Sequence, residues 1–121
     1  AIKSSVVKIY FSGDSGYGVH LKKIGEEHGP FDISLIDCGQ YNIAWKHSHM
    51  FPKQAVTAAI DLKSRYFMPI HWGGFILAMH PWDEPVKESK KLALAIQKLI
   101  ESRELRVSMG KESFRIAKSQ F

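Results

Sequence analysis

Cysteine is nearly missing from these 121 residues: Cys38 stands alone. No internal disulfide is available, and a reducing, cytoplasmic setting is expected. No apolar run approaches the roughly 20 residues that a membrane-spanning helix needs, and no secretory leader is visible. There is no G-x-G-x-x-G after a strand, no P-loop, and no arguable Ser/His/Asp or Cys/His triad. Acidic residues run short in one region only. Residues 1–85 carry eight Lys/Arg against eight Asp/Glu, whereas residues 86–121 carry nine against four, so the whole excess of +5 lies in the latter. Such an end suits a solvated helix face and a tail, or else phosphate-rich partners or an anionic membrane surface. No aromatic residue is interleaved there before Phe114 to stack on bases, so no nucleic-acid partner is expected.

What is present reads as one domain at most, with 45% hydrophobic residues and alternating strand and helix signals. Val6–Phe11 is a β-branched and aromatic run that stops at Ser12-Gly13. Helical spacing from about Tyr17 to His28 ends at Gly29-Pro30, and Ile33–Asp37 is a second short buried strand. An irregular segment, Gln40–Phe51, leads to Pro52, where a helix of about a dozen residues opens with Ala55, Val56, Ala59 and Ile60 on one face. Tyr66–Ile70 is the third strand, with Pro69 pointing to an edge or a bulge. A long helix runs from Pro85 to about Glu104 with Leu92, Ala95, Ile96, Leu99 and Ile100 on one face. Leu105–Met109 and Ser113–Ile116 read as a hairpin across Gly110-Lys111. This is an α/β pattern. It places the loops Gly13–Gly18, Gly39–Phe51 and His71–Pro81 on one edge of the sheet.

Chemistry-bearing residues gather in those loops. Asp14 follows a strand; its two oxygens suit a bridge between two metal ions, although the same position suits an N-cap. His71 ends an apolar strand before Gly73 and Gly74, inside the stretch Met68–Pro85, and imidazole there suits zinc, iron or manganese. A buried histidine bonded to a neighbouring strand end is the competing reading. His47-Ser48-His49 begins like the metal-binding run H-x-H-x-D-H, but Phe51 and Pro52 stand where Asp and His are needed. Two alternate histidines in a loop before a helix also suit the surface; if one of them is functional it is His49, facing a substrate as a donor. His80, Trp82, Asp83 and Glu84 suit a cleft wall, or a cap on the helix from Pro85. Cys38 reads as a core residue, and His20 and His28 have no assigned role.

The stretches FSGDSGYG, GPFDISLIDCGQY, HMFPKQAV and IHWGGFILAMHPWDEP occur in an order and spacing that resemble one branch of the metallo-β-lactamase fold hydrolases. That branch is similar to N-acylphosphatidylethanolamine-hydrolysing phospholipase D and includes bacterial zinc-dependent hydrolases. The resemblance covers about residues 6 to 104. It implies an α/β fold, the C-terminal half of an αββα sandwich, with one mixed β-sheet and flanking helices. It also implies that Asp14 bridges two metals, that His71 is the last histidine ligand, and that His49 lines the active site against the substrate's phosphate or developing charge. The implied chemistry is attack on a phosphodiester or ester-like bond, in a small or lipid-like molecule, by a hydroxide held between two ions. The ions are usually zinc, with iron or manganese as alternatives.

The H-x-H-x-D-H run and a further histidine ligand are absent from this sequence, so most of the ligand set is missing. Two ligands hold zinc weakly. The chain alone is therefore expected to be inactive, a C-terminal fragment whose partners are its missing N-terminal half or a second copy. The start at Ala1 without an initiator methionine fits that expectation. The alternative is a non-catalytic binding module on the same scaffold, using the basic end for anionic partners.

Overall fold

Three apolar runs, Lys8–Phe11 (β2), Ile33–Asp37 (β3) and Tyr66–Ile70 (β4), form the body of one sheet. The computed structural model describes residues 1–75 and 77–120, with backbone alone for 117, 119 and 120, so position 76 of the Met68–Pro85 stretch lies outside the described residues. A two-residue strand, Ile2–Lys3 (β1), was not expected, since so short a piece carries no periodic signal. It pairs antiparallel with β2, while β2, β3 and β4 are parallel in the order β1-β2-β3-β4. The sheet is mixed, as expected.

Parallel neighbours need a crossover. The helices α1 (Val19–His28) and α2 (Pro52–Asp61) provide one between each successive pair. Proline at the first turn of α2 removes an N–H that would have no partner there, and Gln54 Oε1 accepts the Phe51 N–H at 2.9 Å. On α2, Ala58 is buried where Ile60 was expected; Ile60 is exposed. α2 packs on β3 and β4, and α1 packs on α2. The resulting core contains Tyr10, Leu21, Ile36, Met50 and Leu62, with Phe31 edge-on to Tyr10 at 5.6 Å.

Strand side chains alternate between faces. The register sets Tyr10, Ser34 and Phe67 in one row and Phe11, Leu35 and Met68 in the next. The first row belongs to the covered face. On the other face Phe11, Tyr66 and Met68 are 56%, 59% and 47% exposed. β4 is an edge strand, as Pro69 suggested, and the Pro69 carbonyl accepts the Trp72 indole N–H at 2.9 Å.

The chain divides into two units, Ala1–Lys90 and Lys91–Phe121. The second contains the end of α3 (Glu84–Glu101) and α4 (Arg103–Gln120). The hairpin expected over Leu105–Met109 and Ser113–Ile116 is not formed; that segment is helical. Ser102 ends α3 early and caps α4, its Oγ accepting the Leu105 N–H at 3.1 Å. Arg106 Nη1 donates to the Leu99 and Ile100 carbonyls that close α3. An Arg115–Glu112 pair, at 2.6 and 2.9 Å, spans one turn beyond Gly110. A lone glycine costs about 1 kcal/mol in a helix, and α4 continues through Gly110. Among the described residues no helix is long and apolar enough to cross a membrane.

Candidate metal centre

Because β2, β3 and β4 run parallel, their carboxyl ends share one edge and the loops after them converge. Asp14 comes from the first loop, His49 from the second and His71 from the third. His71 Nδ1 lies 3.5 Å from Asp14 Oδ1, and the rings of His49 and His71 are 5.2 Å apart. Asp14, Gln40, Trp45, Ser48, His49 and His71 line a cleft of about 320 Å³. The loops are also tied by backbone, since the Gly16 N–H donates to the His47 carbonyl at 3.2 Å.

Asp14 does not cap α1. The N-cap is Gly18, with no side-chain bond, and the Asp14 side chain is 67% exposed beside the cleft. His71 adopts φ +65°, a left-handed conformation that costs a non-glycine residue about 1–3 kcal/mol and marks functional sites. Its neighbours hold it there. The Ile70 carbonyl accepts the Cys38 N–H at 3.1 Å, and the His71 carbonyl packs so closely over Gly39 that a Cβ on Gly39 would overlap it. Only glycine fits between the end of β3 and this carbonyl.

One site residue was missed from sequence. Asp37, the last residue of β3, is fully buried. Its Oδ2 lies 2.8 Å from His49 Nδ1, its Oδ1 lies 3.1 Å from His71 Nδ1, and Oδ1 also accepts the Gly39 N–H at 3.3 Å. Asp37, His49 and His71 bring ligand-capable atoms within 4.8 Å of one another. The signal was a carboxylate closing the apolar run ISLID, the same place that His71 occupies after YFMPI.

The remaining candidates lie elsewhere. His80 stacks on Tyr41 with centroids 4.1 Å apart, and the Tyr41 hydroxyl donates to Glu84 at the start of α3. Burial, reinforced by that bond to Glu84, pushes the Tyr41 pKa up. Trp82 stacks on Trp72 at 6.1 Å, and Asp83 pairs with Lys87. His47, His20 and His28 are exposed. Cys38 is a core residue: it is fully buried, and burial raises its pKa to about 11, which keeps the thiol protonated and unreactive.

A mixed sheet with helices on one face, and a carboxylate and two imidazoles at the carboxyl edge of its parallel strands, defines an α/β domain of the metallo-β-lactamase fold type. Residues 1–72 match the family described as "Beta-lactamase superfamily domain", and the chain belongs to that family of hydrolases. It is 48% identical over 83 residues to an uncharacterized protein of Mycobacterium tuberculosis, covering 66% of this chain and 22% of that protein. It is 36% identical over 107 residues to N-acyl-phosphatidylethanolamine-hydrolyzing phospholipase D 1 of Caenorhabditis elegans, covering 85% of this chain and 30% of that protein. A UPF0173 metal-dependent hydrolase of Thermococcus onnurineus is 35% identical over 66 residues, 54% of this chain and 27% of its own length. The chain thus spans less than a third of each of these relatives.

Proposed function

We propose that this chain supplies one side of a dinuclear metal-dependent hydrolase centre acting on a phosphodiester or ester-like bond. The observation that carries the reading is the meeting of Asp14 and His71 at 3.5 Å, from loops 57 positions apart, beside the His49 ring. The donor set fits the group. Carboxylate oxygen and imidazole nitrogen are what zinc, iron and manganese sites use, and Asp14 offers a largely exposed carboxylate beside His71. When bound, divalent ions supply Lewis acidity and an activated water.

In this reading Asp14 and His71 hold metal, and His49 contacts the phosphate or the charge that develops on it. Because His49 Nδ1 is taken by Asp37, that contact goes through Nε2. The cleft beside them is large enough for a small or lipid-like head group. The other ligands come from outside this chain, from another segment of a longer protein or from a second copy. The open sheet face, with Phe11, Tyr66 and Met68 exposed, is the surface that a second sheet of the αββα sandwich would cover. The buried, reduced Cys38 suits a cytoplasmic setting.

Elemental analysis tests this on the 121-residue chain and on the product of the complete reading frame. About two metals per longer chain are expected, almost none in the short chain, and a marked loss in Asp14→Asn and His71→Ala. Metal-free protein in every case overturns the hydrolase reading and leaves a non-catalytic binding module.

A further inference from the structure

We propose that Asp37 is a positioning residue: one buried carboxylate that fixes the tautomer and orientation of both His49 and His71. The inference deepens the hydrolase reading above, and rests on it for what the two rings then hold.

An ionised carboxylate only accepts hydrogen bonds. Each oxygen of Asp37 faces a different imidazole, Oδ2 to His49 Nδ1 at 2.8 Å and Oδ1 to His71 Nδ1 at 3.1 Å. Both Nδ1 atoms must therefore carry hydrogen, and each neutral ring keeps its lone pair on Nε2. Asp14 lies 3.5 Å from the same His71 nitrogen, too far to compete for that proton. Asp37 cannot turn to water. It is fully buried at the end of a central strand, and the Gly39 N–H holds Oδ1 from a third direction.

A buried carboxylate needs donors, and these are the donors it has. The gain is shared: the carboxylate is satisfied, and both rings present Nε2 as the atom left for metal or substrate. Outer-shell carboxylates act in this way on metal-binding histidines, raising their basicity and fixing the ring. Direct ligation of a metal by Asp37 through these contacts would require the opposite tautomer, with Nδ1 lone pairs turned inward.

The ¹⁵N and ¹³C NMR spectrum of the metal-free 121-residue chain tests the idea at a pH well above the ordinary imidazole value of about 6.5. Both His49 and His71 are expected in the Nδ1–H form. In Asp37→Asn the amide offers its oxygen to one ring and its NH₂ to the other, so one ring must reverse tautomer. In Asp37→Ala both are expected to revert to the Nε2–H form common in water. Unchanged methyl resonances of Leu21 and Leu62 show that the fold persists, and Asp37→Asn keeps the test alive if Asp37→Ala unfolds. An Nε2–H form of either ring in the wild type, or no tautomer change in Asp37→Asn, overturns the proposal.

A second readout is zinc affinity of the complete reading-frame product, by competition with a chromophoric chelator. Asp37→Asn is expected to weaken it about 10- to 100-fold. Loss as complete as in His71→Ala means direct ligation and overturns the positioning role. Failure of the wild type to bind zinc sinks the hydrolase reading, while the tautomers still decide the role of Asp37.

Discussion

Tyr10, Ser34 and Ile36 on one face of the sheet are buried, whereas Phe11, Tyr66 and Met68 on the other face are about half exposed. The second set is no less apolar than the first. What separates them is topology. Strands β2, β3 and β4 are laid down in spatial order, and right-handed crossovers in one direction put every connecting helix on the same side. The packing of α1 against α2 shows them on one side together. Burial within this chain thus follows from where a crossover lands, and an open apolar face is the by-product of stepping in one direction.

The largest test of that contrast is truncation on each face. Ile36→Ala should cost about 2–5 kcal/mol in urea unfolding, as for other fully buried aliphatics. Phe11→Ala should stay within about 1 kcal/mol in this chain and approach the Ile36 cost in the complete reading-frame product. Equal costs in the 121-residue chain would mean that the face is already covered. Gly39→Ala comes next, at about 1–3 kcal/mol, because its Cβ must push away the His71 carbonyl. The cost should appear with shifted His49 and His71 resonances and little change at Leu21, on the covered side.

Smaller in stability, but diagnostic for the open face, is Phe11→Lys combined with Met68→Lys. It should change unfolding free energy by about 0.5 kcal/mol or less and reduce self-association in sedimentation velocity. A double variant that associates as the wild type does would remove the sticky-face account.

The smallest effect concerns alkaline pH. Burial on the covered face raises the Tyr10 pKa above its ordinary value of about 10. The neutral phenol is favoured in the folded state, so its contribution is full below pH about 10 and is lost as pH rises through the raised value. Tyr10→Phe should flatten that alkaline loss. A Tyr10 that ionises at the ordinary value would show that the face is wetter than the packing implies.

Much of the sheet could be read from its strands. ISLID and YFMPI are bounded by turn residues on both sides, and their observed limits match the runs. Parallel pairing then brings Asp14, His49 and His71 to one edge. The C-terminal segment was misread because Leu105, Val107 and Met109 alternate as in a strand and Gly110-Lys111 resembles a turn. The deciding signal is three residues earlier, where Ser102 caps a helix whose first turn holds Glu104. Asp37 is not legible locally because its one near partner is the Gly39 backbone N–H, which marks no site. Its imidazole partners are 12 and 34 positions away, and only the parallel register brings them near.

The outer rim of β4 has a consequence for how copies of this chain can come together. A rim of free amide donors and carbonyl acceptors invites another strand and, repeated, a growing fibre. At position 69 this rim has neither: proline carries no N–H, and its carbonyl is already taken by the Trp72 indole. Lateral pairing is blocked at the fourth residue of that five-residue strand, while the apolar side of the sheet stays exposed. A strand added along this rim would find no donor and no free acceptor at position 69.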